Sequence, residues 1–238
     1  MLSLADRRLL CALARYLSAT YIMSLVNCYA DARADALGDE RGHQALPDLG
    51  FDLVPENREL LWTLDFLNNA QAVFLILSVL RCRERLSVTT RFMDMHSALL
   101  LLRCLTVAST SMPSPVPCRN LVDITKTHIL LAPLRHLARA DALMSWCHDF
   151  MFSGHATFAV LAAWFVVECK PHQGGVVLAV ATCPVSLVVL LATRSHYTSD
   201  IVVGVVLASL VYWLQRFWDK SRGDFFGTPG SSREFLEV

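Results

Sequence analysis

The chain has 238 residues, of which 54% are hydrophobic and only 18% charged, with no formal net charge. Its mean hydropathy is +0.43. A neutral chain of this kind offers no basic surface for nucleic acid, and such apolarity excludes an ordinary soluble domain. The charges gather between long apolar runs, which is the pattern of a polytopic membrane protein.

In chain order the apolar runs predict six spans: Leu9–Ala30, Leu60–Leu80, Met95–Met112, Phe152–Val167, Val176–Thr193 and Ile201–Trp218. About 20 apolar residues cross a bilayer core. The first run is read as a signal anchor, being too long and too Arg-flanked for a cleaved signal peptide. The fold class is therefore all-α, a six-helix membrane bundle. Residues 1–30 hold a short tail and the first span, which joins residues 31–218 in one core. Residues 219–238 read as a flexible tail.

Lys and Arg set the expected orientation. Arg7 and Arg8 precede the first span, "RCRERLSVTTRF" reads as a loop after the second, and Lys170, Lys220 and Arg222 follow later spans on the same side. Residues 31–59, on the other side, carry eight acids against three arginines. Both termini are then expected in the cytosol, with loops 31–59 and 113–151 lumenal or extracellular. Prolines in "MPSPVPCRN" interrupt any helix at the start of the second loop. Cys118 and Cys147 both fall in that loop and could be oxidised there. The other cysteines lie in or beside spans and read as buried small residues.

The alternating spans bring His155 and His196 to one edge of the bilayer. In "CHDFMFSGHATFAVL", residues 147–161, Ser153 suits an N-cap and Gly154 a close approach to a ligand. The first turn of that helix is an anion site suited to phosphate, with His155 beside it. In "TRSHYTSDIVVGVVLA", residues 193–208, His196 and Asp200 are four apart and share one helical face. A carboxylate there fixes the tautomer of the ring and stabilises its cation. A carboxylate leading straight into aliphatics is costly without a partner. Asp200 is read as this orienter and not as a metal ligand. Arg194, two residues before His196, is the candidate grip on phosphate oxygens. Arg103 falls within a span, where a charge is costly; it reads as a structural polar contact, against the alternative of a contact to a substrate phosphate or to an acid such as Asp65.

Ser-Gly-His heading one span and His-x-x-x-Asp heading the next resembles the type-2 phosphatidic acid phosphatase (PAP2) superfamily. More closely, it resembles the sphingomyelin synthase branch. There Cys-x-Asp precedes Ser-Gly-His, as Cys147-His148-Asp149 does here, and the last motif reads His-Tyr-Thr-x-Asp. "ALPDL" at 45–49 and "RCLTVASTSMPSPVP" at 103–117 extend the likeness. The resemblance implies a PAP2-like core that moves a phosphocholine-type head group from a glycerophospholipid to ceramide, without metal or cofactor. It implies that His196 is the nucleophile, Asp200 its orienter and His155 the general acid and base. Asp149, Ser153 and Arg194 become substrate-side candidates. The expected partners are membrane lipids, and the expected location is the Golgi, endoplasmic reticulum or plasma membrane. The Lys/Arg-rich first motif of the superfamily's phosphatases is not clearly present, which favours a transferase. The Thr-Arg before the last motif also resembles plant phosphatidylcholine:diacylglycerol cholinephosphotransferases. Diacylglycerol and water thus stand as alternative acceptors.

Overall fold

The computed structural model describes residues 3–36, 45–110, 112–116, 150–169 and 173–225, and those residues form only helices and connections. The order is α1 (Leu4–Ala36), α2 (Leu49–Leu53), a 3₁₀ turn (Arg58–Leu60), α3 (Leu61–Arg81), α4 (Arg85–Ser109), α5 (Gly154–Cys169), α6 (Gln173–Ala192) and α7 (Thr198–Phe225). Five of these are long and apolar enough to cross a membrane, and α5 is a shorter apolar helix. Their outward faces carry exposed Leu80, Leu105, Val177, Val188 and Trp213, as lipid contact requires. The protein is a multi-pass membrane protein.

Helix α5 occupies the centre, packing on α3, α4, α6 and α7. Its sequence explains the position, because it is apolar on every side, as a fully surrounded helix must be. Ala156, Leu161, Ala162, Phe165 and Val166 are all nearly inaccessible. Helices α1 and α4 run parallel, with Arg15 against Asp94 and Tyr16 against His96 near one end. Further along, Cys104 meets Met23 and Arg33 donates to Ala108 O.

The structure corrects several expected boundaries. The first span extends in both directions and takes up residues 31–36 of the expected loop. The third begins at Arg85, not Met95, and ends at Ser109. Only residues 82–84 remain between α3 and α4, so most of the Arg-rich stretch is helix and not loop. Its polar residues are satisfied locally. Thr89 and Thr90 donate to the carbonyls of Arg85 and Leu86, and Arg91 pairs with Glu168 across the bundle. Residues 45–60 are also more ordered than a polar loop, since α2 and the 3₁₀ turn dock on the ends of α6 and α7. Cys118, Cys147, Asp149, Lys170 and the tail beyond Phe225 lie outside the described residues.

Candidate active site

The site is assembled where α5 and α7 begin. Ser153 caps α5, because its Oγ accepts from Ala156 N at 3.2 Å and its carbonyl accepts from Thr157 N at 3.0 Å. A helix start leaves its first backbone N–H groups without helical partners, here those of Gly154 and His155. Ser153 N donates to Asp200 O at 3.0 Å, which ties the start of α5 to the first turn of α7. Gly204 continues that contact. A Cβ there would lie 2.9 Å from Ser153 O, so only glycine admits this approach of the two helices.

His196 is buried just before α7, and its Nδ1 faces Asp200 Oδ2 at 3.5 Å. Asp200 is wholly inaccessible. Its Oδ1 accepts from Met151 N at 3.0 Å and its Oδ2 from Tyr197 N at 3.2 Å. The carboxylate is thus held by backbone dipoles and left facing the imidazole. Nε2 is the nitrogen of His196 turned away from Asp200. The rings of His155 and His196 are 5.9 Å apart between centroids, and Phe150 stands edge-on to His196 at 5.9 Å. Met151 (φ 89°) and Arg194 (φ 56°) are in the left-handed region, a strained state for side chains of this size. Both lie a few residues before a site histidine.

The predicted site residues therefore divide. His155, His196 and Asp200 come together. Ser153 is fully buried, with its hydroxyl used as the cap. Arg194 is spent elsewhere: its Nη2 donates to Phe51 O at 2.9 Å and Val54 O at 3.0 Å, and its guanidinium lies 4.3 Å over the Phe51 ring. It fastens the end of α2. The cation beside the histidines is Arg103. Its Nε donates to Phe152 O at 2.7 Å, and its Nη1 would lie 2.7 Å from a Cβ on Gly154. Arg103 is indeed in a structural polar contact, and that contact places its guanidinium at the head of α5. Its mid-span position was the available signal; the proximity to Gly154 was not legible.

Asp48 is a second residue whose role lay beyond sequence reading. It caps α2 by accepting from Phe51 N at 3.1 Å and holds the start of α7 by accepting from Thr198 N at 2.8 Å. The Thr198 hydroxyl donates to the same carboxylate. Partial burial alone would raise the Asp48 pKa, but these hydrogen bonds from Thr198, Phe51 and Gly50 outweigh it and hold it below the ordinary value. Tyr197 completes the frame. Its hydroxyl donates to Pro113 O at 2.9 Å and accepts from Leu46 N at 3.2 Å. Burial raises its pKa, and the carboxylates of Asp200 and Asp48 push the same way. Leu46 and Asp48 of the first resembling segment and Arg103 and Pro113 of the second thus converge on one end of the bundle. Among the described residues no group of three or more His, Cys, Asp or Glu side chains could hold a metal ion.

Comparison with known proteins agrees with this convergence. The model of the family described as PAP2 superfamily C-terminal matches residues 146–217, which carry both histidines and Asp200. Phosphatidylcholine:ceramide cholinephosphotransferase 1 of Caenorhabditis elegans is 26% identical over 185 residues, covering 71% of this chain and 39% of the relative. Sphingomyelin synthase-related 1 of the same organism is 25% identical over 215 residues, covering 83% and 41%. Phosphatidylinositol:ceramide inositolphosphotransferase of Leishmania major is 30% identical over 126 residues, covering 51% and 37%. The chain thus spans about two-fifths of the length of these relatives. Residues 146–217 match the PAP2 superfamily C-terminal family, and the chain around them is similar to sphingomyelin synthases and ceramide phosphotransferases.

Proposed function

We propose that the protein transfers a phosphorylated head group, of the phosphocholine type, from a glycerophospholipid to ceramide, with His196 as nucleophile. The observation that carries this reading is the pairing of His155 and His196, with rings 5.9 Å apart and the buried carboxylate of Asp200 behind His196. Relatives named for ceramide head-group transfer support the same class.

In the proposed first step Nε2 of His196 attacks phosphorus. The bond to the diacylglycerol oxygen breaks, and His155 gives that oxygen a proton. Asp200 stabilises the positive charge that develops on His196. In the second step His155 takes the proton of the ceramide hydroxyl, whose oxygen attacks phosphorus and frees His196. Splitting the transfer through a phosphohistidine replaces one difficult displacement by two easier ones. Arg103 and the N–H groups at the head of α5 lie where phosphate charge would need compensation. The chemistry asks for no metal or cofactor. We place the histidines on the lumenal or extracellular side and both termini in the cytosol, on the distribution of Lys and Arg.

The test is expression in a host that lacks sphingomyelin, with labelled ceramide and labelled diacylglycerol supplied together. Label in a phosphosphingolipid is the expected result. Label in phosphatidylcholine alone would make diacylglycerol the acceptor, and release of a water-soluble phosphate ester alone would make the protein a hydrolase.

A further inference from the structure

At the end of the bundle remote from the histidines, α1 and α4 part to leave a cleft of about 310 Å³. It is lined by Arg7, Arg8, Cys11 and Arg15 of α1 and by Thr90 and Asp94 of α4. Three guanidinium groups therefore share one carboxylate. That carboxylate is already engaged: Oδ1 of Asp94 accepts from Nε of Arg15 at 3.0 Å and from its Nη2 at 2.7 Å. The cleft is left with a surplus of two positive charges, from three arginines and one aspartate. Thr90 and Arg103 are both on α4 and lie about 20 Å apart along its axis, so the cleft belongs to the opposite membrane face from the site.

Two features choose the occupant. The charge surplus matches a phosphate monoester, which carries about −1.5 to −2 at neutral pH. The rim matches a lipid, because Leu4 and Leu86, one turn from Arg8 and Thr90 on the same faces of their helices, are exposed and would receive acyl chains. Basic pockets between membrane helices bind anionic head groups by this combination. Arginines that merely anchored α1 at the interface would have no reason to line a common cavity with a second helix. We infer that the cleft between the N-terminal parts of α1 and α4 binds the phosphomonoester head group of an anionic glycerophospholipid. This lipid occupies the leaflet opposite the histidines and is distinct from the substrates.

The test uses the full chain in phosphatidylcholine nanodiscs that contain a photoactivatable phosphonate analogue of phosphatidic acid, which cannot be hydrolysed. Crosslinks are expected within residues 3–15 and 85–94. Unlabelled phosphatidic acid should compete, and phosphatidylserine and soluble inorganic phosphate should not. Arg7→Gln with Arg8→Gln should weaken labelling about 30-fold. Arg7→Lys with Arg8→Lys, which keeps the charge and loses the fork, should fall between. Arg7 and Arg8 are both exposed, so the fold should persist. Equal labelling of wild type and the Gln variant, or crosslinks confined to residues 150–200, would overturn the site. Competition by phosphatidylserine would overturn the phosphomonoester, and competition by inorganic phosphate would overturn the lipid.

Discussion

Asp200 and Glu168 are both carboxylates held inside the bundle, at opposite ends of the α5–α7 pair, and their partners differ in kind. Asp200 accepts two backbone N–H bonds and faces an imidazole. Glu168 pairs with Arg91, has Arg216 Nη1 3.5 Å away, and accepts from Tyr212 at 3.2 Å. Permanent cations quench the Glu168 charge and make it a fastening between α4, α5 and α7. Backbone dipoles hold Asp200 in place without cancelling it, so its charge is available to the ring it faces, as the proposed mechanism requires. A buried acid with fixed counterions is architecture; a buried acid with a titratable partner is poised for chemistry.

Substitutions should separate the two ends. The largest effect is expected for His196→Ala, with complete loss of head-group transfer and of any slow donor hydrolysis, measured on purified protein at normal yield. Turnover within a few-fold of wild type would remove His196 from the chemistry. Asp200→Asn keeps a hydrogen-bonding side chain but cannot stabilise an imidazolium, and the rate should fall by about 10²–10⁴. A near-normal rate would put Asp200 in the same class as Glu168.

Gly204→Ala tests the link between the two helices. The new Cβ must push Ser153 O away from 2.9 Å and Thr157 Oγ1 from 3.1 Å. Stability should drop by about 1–3 kcal/mol. The rate per folded molecule should fall up to about 10²-fold, because the two rings move apart. Thermal unfolding in detergent and the transfer assay read the two effects separately. Glu168→Gln should show the opposite balance. Loss of a charged partner for two arginines costs about 1–3 kcal/mol of stability, while the rate per folded molecule stays within about threefold, a difference under 1 kcal/mol in barrier. A large rate loss without unfolding would erase the distinction between the two ends.

The smallest effect concerns Asp48. Its pKa is depressed in the folded protein, so its contribution to stability is present above the unfolded value of about 3.9 and is lost as pH falls through the folded value. Protection of the Thr198 amide from hydrogen exchange should therefore persist at pH 4 and decline only in stronger acid. Asp48→Asn should remove that acid dependence.

How much of this was legible in the sequence follows from the distance over which each contact acts. The Ser153 cap is local, and the structure has it as read. His196 and Asp200 do face each other, but His196 precedes α7, so the pair is set by the turn into the helix and not by a shared helical face. Arg103 meets Phe152 across 49 positions, and Asp48 meets Thr198 across 150, so no periodicity announces either contact. Nearness in sequence put Arg194 forward as a phosphate ligand. With φ 56° its side chain lies over Phe51, on the frame of the site. Five of the six expected spans are helices long enough to cross a membrane and the fourth is a shorter apolar helix, and the ends of several differ from those expected. Arg85 to Arg91 looked like a loop because the partner that satisfies Arg91 is 77 residues away.

The central claim is that His196 carries the phosphoryl group between donor and acceptor. The direct measurement gives purified His155→Ala an activated donor, nitrophenyl phosphocholine, whose leaving group needs no proton, and withholds ceramide. After a neutral quench, peptide mass spectrometry should find an acid-labile phosphocholine adduct on His196, and none on the His196→Ala chain treated alike. An adduct on His155 in the His196→Ala chain would reverse the two roles. Rapid release of nitrophenol by His155→Ala with no adduct on His196 would contradict the covalent route.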